Sequence, residues 1–99
     1  MSVIIGTTTI AADSNTVELF APLSSAAQVT LLYADNDIFI ADAAGVTPPG
    51  TGEADMASNM APLLLQQNPL QLNLTAGDTI YVGPYPDGGD VHVSYMITT

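Results

Sequence analysis

The sequence predicts an all-β protein: an antiparallel β-sandwich or jelly roll of about seven to eight short strands, with one long irregular connection over residues 42–62. Three observations carry this. Short runs rich in β-branched and aromatic residues alternate apolar and polar side chains with period two. Clusters of Asp, Asn, Gly, Pro and Ser punctuate them at short intervals, as turns require. Nothing between the runs has the length and period of the crossover helices that a parallel sheet needs. A small closed barrel is the other architecture that such a pattern permits.

Taken in order, Val3 to Ile10, Thr16 to Phe20, Gln28 to Tyr33 and Asp37 to Ala41 are the candidate strands of the first forty residues, with turns at Asp13-Ser14-Asn15 and Asp35-Asn36-Asp37. Pro22 belongs at a strand end or sheet edge, because it has no N–H for a central ladder. Ser24 to Ala27 has room for one helical turn. Asp42 to Pro62 is rich in Ala, Gly, Pro and Thr and loses the period-two pattern. Within it Thr47 to Gly52 should be extended, and Glu53 to Ala61 can form a short helix with Met56 and Met60 on one face.

The C-terminal end has the clearest pattern. In Leu70-Gln71-Leu72-Asn73-Leu74 the three leucines face one way and the two amides the other, as in a strand with one buried side. Thr75 to Asp78 supplies a turn with Gly77 free to take a positive φ. Thr79 to Val82 is the next strand, Pro84 to Asp90 the next turn. In the last strand Val91, Val93, Tyr95 and Ile97 form the buried side. The 99 residues fit one domain, 1–99.

Composition narrows the function. The chain has ten carboxylates, no Lys, no Arg and one His, for a formal charge of -10, and it has no Cys. Nucleic acids and anionic membranes are held by Lys and Arg, so neither is expected as a partner. Disulfides, thiol nucleophiles and zinc–thiolate sites need the missing Cys. No apolar run reaches the ~20 residues of a membrane-spanning helix. Met1 to Gly6 lacks the positively charged and apolar regions of a secretory signal, so synthesis in a cytoplasm is the expectation.

The residues that carry chemistry are sparse. His92, the single histidine, sits on the polar side of the last strand, with Ser94 two residues away on the same face. A general base also needs an orienting group and a nucleophile held in place, which spacing does not supply. We therefore expect no enzyme, no catalytic residue and no cofactor. Asp35 and Asp37, and Asp87 and Asp90, offer the hard oxygen ligands that Ca²⁺ takes, but their types are also those turns select, and neither run has the spacing of a twelve-residue calcium loop. They are weak metal candidates. The candidates for protein contact are Val3 and Ile5 near the start, Pro48, Pro49, Met56 and Met60 in the long connection, Leu63 and Leu65 after it, and Tyr85 in a later turn. The long connection has a second role open to it, as a lid over its own core.

The segment Leu70 to Val82, LQLNLTAGDTIYV, resembles the strand-turn-strand found near the end of jelly-roll subunits, among them the C1q and tumour-necrosis-factor class and many viral β-domains. The whole chain, short, rich in Thr and Ala and free of Cys, is similar to the small decoration or cement proteins that coat tailed-phage capsids. That resemblance implies a non-enzymatic structural protein of the virion surface, bound to the outside of a capsid shell at symmetry axes or between capsomers, with copies of itself among its neighbours. The other expectation left open is a fibre-tip or adhesin module that recognises a glycan or receptor through loop Asp, Asn and Tyr residues.

Overall fold

The computed structural model describes residues 2–48, 59–63, 69–85 and 89–99. Among them are eight strands and no helix: β1 (Val3–Ile10), β2 (Val17–Glu18), β3 (Ala27–Ala34), β4 (Ile38–Ala41), β5 (Met60–Leu63), β6 (Leu70–Leu74), β7 (Tyr81–Pro84) and β8 (Val91–Thr98). They form two four-stranded sheets, sheet A in the order β1-β8-β3-β6 and sheet B in the order β2-β7-β4-β5. All pairings are antiparallel. Only the β4–β5 connection joins neighbours within one sheet; every other connection passes from one sheet to the other.

The two sheets share one apolar core, which makes the fold a β-sandwich. Sheet A contributes Ile10, Val29, Leu31, Val91, Val93 and Ile97, and sheet B contributes Ile38 and Val82, with Leu19, Phe20 and Ile80 filling in from the connections. The period-two pattern explains this placement. Leu70, Leu72 and Leu74 pack against the core while Gln71 and Asn73 face solvent, as the alternation predicts. Gly77 takes its positive φ of 88° in the turn that follows, and Asp13 does the same at 62° in the first turn.

Phe39 is fully buried but lies on the side of β4 away from the neighbouring core residues Ile38 and Ile40. The outer side of sheet B is therefore covered here. The cover is held by Thr16, whose hydroxyl donates to the Ala43 carbonyl at 2.7 Å and accepts from the Val46 N–H at 2.9 Å. Backbone bonds reinforce it: Thr16 N–H to the Val46 carbonyl, and Gly45 N–H to the Thr16 carbonyl. The first part of the long connection thus folds back on its own domain.

Several sequence expectations shift. The irregular connection ends sooner than 62, because Met60–Leu63 is strand β5 and pairs with β4, placing Pro62 opposite Phe39. β5 is an edge strand, where the N–H that proline lacks is not missed. The helix expected over Glu53 to Ala61 is contradicted at its end, since Asn59 is in a turn and Met60 and Ala61 are in β5; residues 53–58 lie outside the described residues. Ser24 to Ala27 is not a helical turn, because Ala27 already pairs with Leu74 at the start of β3. The second strand is shorter than Thr16 to Phe20, and the seventh begins at Tyr81 instead of Thr79.

Candidate functional site

The four strands of sheet A contain no Asp or Glu, although the chain has a formal charge of -10. The outward side of this sheet is built from Val3, Ile5, Thr7 and Thr9 of β1, the residues opposite them on β8, and Gln28, Thr30, Gln71 and Asn73 beyond. Hydrogen bonds run across it: Thr7 and Ser94 hydroxyls meet at 3.3 Å, and the Gln71 amide reaches the Thr30 hydroxyl at 3.5 Å. His92 is the single titratable group on the outward side of β8. Among the described residues the carboxylates lie instead in connections and in β2, with Asp13, Asp35, Asp37 and Asp90 at the end of the sandwich where β1 finishes and β8 begins.

At the opposite end, β1 starts with three consecutive exposed apolar residues: Val3, Ile4 and Ile5, at 53%, 57% and 70% exposure. Among the described residues β1 is an edge strand, and one side of its backbone has no strand partner there. Which residues face that open side follows from the ladder. The Thr99 N–H donates to the Ser2 carbonyl at 2.9 Å, so Ser2 and Thr99 form a hydrogen-bonded pair. In an antiparallel ladder such pairs alternate. The even residues of β1 therefore bond to β8, and Val3, Ile5 and Thr7 turn their N–H and C=O groups outward. Further along, the Thr8 hydroxyl donates to the Leu19 carbonyl at 2.6 Å, which brings the other sheet's approach up against that half of the strand. The free stretch is the apolar one.

Natural edge strands are usually blunted by charge, proline, shortness or a bulge. Two of the other three edges have such protection in part, β2 being two residues long and β5 containing Pro62, while β6 is uncharged but packs its three leucines on the core and exposes only Gln71 and Asn73. β1 has eight residues with no charge and no proline. Two further exposed apolar residues, Leu32 and Tyr33, lie on β3 where a register shift between Leu31 and Tyr33 interrupts its pairing with β8.

Of the contact candidates read from the sequence, Val3 and Ile5 are brought together at this edge. Pro48 is half-buried after the Thr16-held turn, and Met60 is half-buried on β5. Met60 borders an open concavity of about 420 Å³ with Ile40, Ala41, Asp42, Asn59 and Ala61, where the Asn59 amide donates to Asp42 at 3.2 Å. Leu63 ends β5. Tyr85 is half-buried, its ring centroid 6.1 Å from that of Phe39, so it supports the covered side of sheet B. Pro49, Met56 and Leu65 lie outside the described residues. Sequence reasoning missed Ile4, because alternation alone places it toward the core; its signal was the unbroken apolar triplet at a strand end.

The titratable groups are engaged locally. Asp35 accepts from the His92 backbone N–H at 2.8 Å, and its other oxygen lies 2.7 Å from His92 Nδ1. The backbone bond, then the ring, holds the Asp35 carboxyl below its ordinary range. Asp90 accepts from the Ala12 N–H at 2.8 Å, and Asp37 donates its N–H to the Asn36 side chain. Asp87 lies outside the described residues. Among the described residues no three His, Asp or Glu side chains gather as a metal site would need. No helix among them is long and apolar enough to cross a membrane. No protein-family model, curated protein or solved structure matches this chain.

Proposed function

We propose that this protein is a non-enzymatic structural subunit with a jelly-roll fold that binds the outer surface of a phage capsid, between or beside copies of itself, and stabilises the shell. The observation that carries this is the segregation of charge: in a chain of formal charge -10 the four described strands of sheet A contain no carboxylate, and that sheet ends in an exposed apolar edge. Protein interfaces are depleted of charge at their centre, whereas a free-standing acidic domain gains solubility by spreading charge over all faces. Support for the jelly roll comes from the strand orders, with eight strands in two sheets and nearly every connection passing between them, an architecture that viral capsid domains use.

Electron cryo-microscopy of shells from the encoding virus, assembled with and without the protein, tests this. Ordered density on the outer surface and greater resistance of the shell to heat or low salt are the expected results. Bare shells, together with binding of the purified protein to an oligosaccharide array, would replace the capsid role with that of a glycan-recognising module.

A further inference from the structure

We propose that the occupant of the β1 edge is a second copy of this chain, the two β1 strands pairing antiparallel about a two-fold axis with Ile4 facing its own copy and Val3 facing Ile5 of the other. This deepens the assembly role and rests on it, by naming which partner takes which edge.

Charge selects the partner. A basic surface would be drawn to the acidic connections, at Asp13, Asp35, Asp37 and Asp90, and would find nothing to pair with on sheet A. Two copies of a chain with formal charge -10 repel each other across every surface except one that has no carboxylate. The start of β1, Val3 to Ile5, belongs to such a surface, and it lies at the end of the molecule away from those four aspartates.

Backbone geometry selects the register. Val3 and Ile5 hold the outward N–H and C=O groups, since Ser2 is hydrogen-bonded to Thr99 and the pattern alternates. Pairing Val3 with Ile5 of the copy makes each a hydrogen-bonded pair and puts Ile4 against Ile4 as the non-hydrogen-bonded pair between them. All three exposed apolar side chains then meet apolar neighbours. The pairing needs only Ser2 to Gly6 from each chain, so it stops short of Thr8, where Leu19 approaches. Val3 meets Ile5 of the copy and Ile5 meets its Val3, with Ile4 on the axis, the reciprocity that an isologous two-fold interface requires. The two sheets become one continuous sheet of eight strands, and the apolar half of each β1 edge is covered.

The absence of cysteine gives a direct test. In a non-hydrogen-bonded antiparallel pair the Cα atoms are about 4.5 Å apart, within the span a disulfide bridges. Full-length Ile4→Cys should therefore form a covalent dimer under mild oxidation, while Thr9→Cys, outside the paired stretch, should stay monomeric. Sedimentation velocity on the unmodified chain should show a monomer–dimer equilibrium that shifts toward dimer as NaCl is raised, because salt screens repulsion between like chains. Ile4→Asp, checked by circular dichroism for an intact β spectrum, should abolish the dimer by setting two carboxylates face to face. Equal crosslinking at positions 4 and 9, or a chain that stays monomeric at every concentration and salt, overturns the pairing. A monomer that still coats capsid shells sinks the self-pairing alone, and a dimer that leaves shells bare sinks the capsid role alone.

Discussion

The ring of Phe39 occupies the space that a side chain on Gly83, its partner across β4 and β7, would need. A Cβ placed on Gly83 would lie 2.7 Å from both Cε1 and Cζ of that ring and 3.1 Å from Cγ2 of Thr16. Sheet A contains a matching pair: Tyr95 lies over Gly6, its partner across β1 and β8, with the hydroxyl 2.5 Å from the position of a Cβ. Glycine weakens a strand on its own, and an aromatic side chain on the neighbouring strand covers the exposed backbone.

The two glycines should differ in what a methyl group costs. Phe39 is fully buried and packed beside Tyr85, so Gly83→Ala must displace a ring with nowhere to go, and we expect a loss of about 1–3 kcal/mol from overpacking. At Gly6 the clash is with the far end of a half-buried Tyr95, which can swing, although its ring lies 5.3 Å from Phe20 and would give up part of that contact. Gly6→Ala should therefore cost less than Gly83→Ala in urea unfolding. Equal costs would mean that Phe39 is no better held than Tyr95.

Thr16 should control the first part of the long connection. Thr16→Val keeps the shape and removes the hydroxyl, leaving the Ala43 carbonyl and the Val46 N–H without their partner. A lost hydrogen bond of this kind costs about 1–3 kcal/mol when its groups stay buried. Here Ala43 is exposed, so the lower end applies, and the effect should be local. Hydrogen exchange at the Val46 amide should accelerate, while the Gly45 amide, bonded to the Thr16 carbonyl, should change much less. Equal acceleration at both would show that the hydroxyl does not act separately from the backbone pairing.

These two contacts also mark where the sequence stops being informative. β6 and β8 are legible because one side of each meets the core, so the apolar positions recur every second residue. β4 is harder, because Ile38-Phe39-Ile40 is apolar on both sides, and only the structure reveals that Phe39 has a cover of its own. β5 is hidden for a related reason: the segment up to Pro62 lacks the period-two pattern, and a proline in a strand is tolerated at an edge, which is a property of the sheet and not of the segment. At the candidate site, Val3 and Ile5 were legible as apolar residues near a strand end. The absence of carboxylates throughout sheet A was not, because strand order is what collects four uncharged segments into one sheet.

Acid should weaken the turn between β6 and β7. Asp78 accepts the N–H and the hydroxyl of Thr75, both at 2.9 Å, and the backbone bond followed by the hydroxyl holds its carboxyl below the ordinary aspartate range. A carboxyl with a depressed folded-state pKa stabilises fully above its unfolded pKa, about 3.9, and loses that contribution as the pH falls through the lower folded value. Asp35, lowered by the His92 backbone bond first and its ring second, follows the same sign. The melting-temperature difference between the unmodified chain and Asp78→Ala should thus be complete at about pH 6 and shrink below about pH 4. A difference that persists undiminished into strong acid would show that Asp78 acts by shape and not by charge.

Salt should stabilise the folded monomer, and calcium should do so only as a salt. With no Lys or Arg, the ten carboxylates have few cations to meet, and Asp35 has already taken the histidine. Raising NaCl from about 0.01 M to about 1 M shortens the Debye length from about 30 Å to about 3 Å, less than the spacing of most surface charges. Compaction of like charges then becomes less unfavourable, and the melting temperature should rise by about 4–8 °C for each kcal/mol of repulsion removed. Specific calcium binding would need six to eight oxygen ligands around one ion. Asp35 is committed to His92 and Asp90 to the Ala12 N–H, and among the described residues no third carboxylate joins either. At matched ionic strength CaCl₂ and NaCl should therefore give the same melting temperature, measured on Ile4→Asp at low protein concentration so that self-association does not contribute. A calcium curve that saturates well above the sodium curve would instead assign an ion to the Asp35/Asp37 or Asp87/Asp90 turns, and substituting Asn at each position would then locate it.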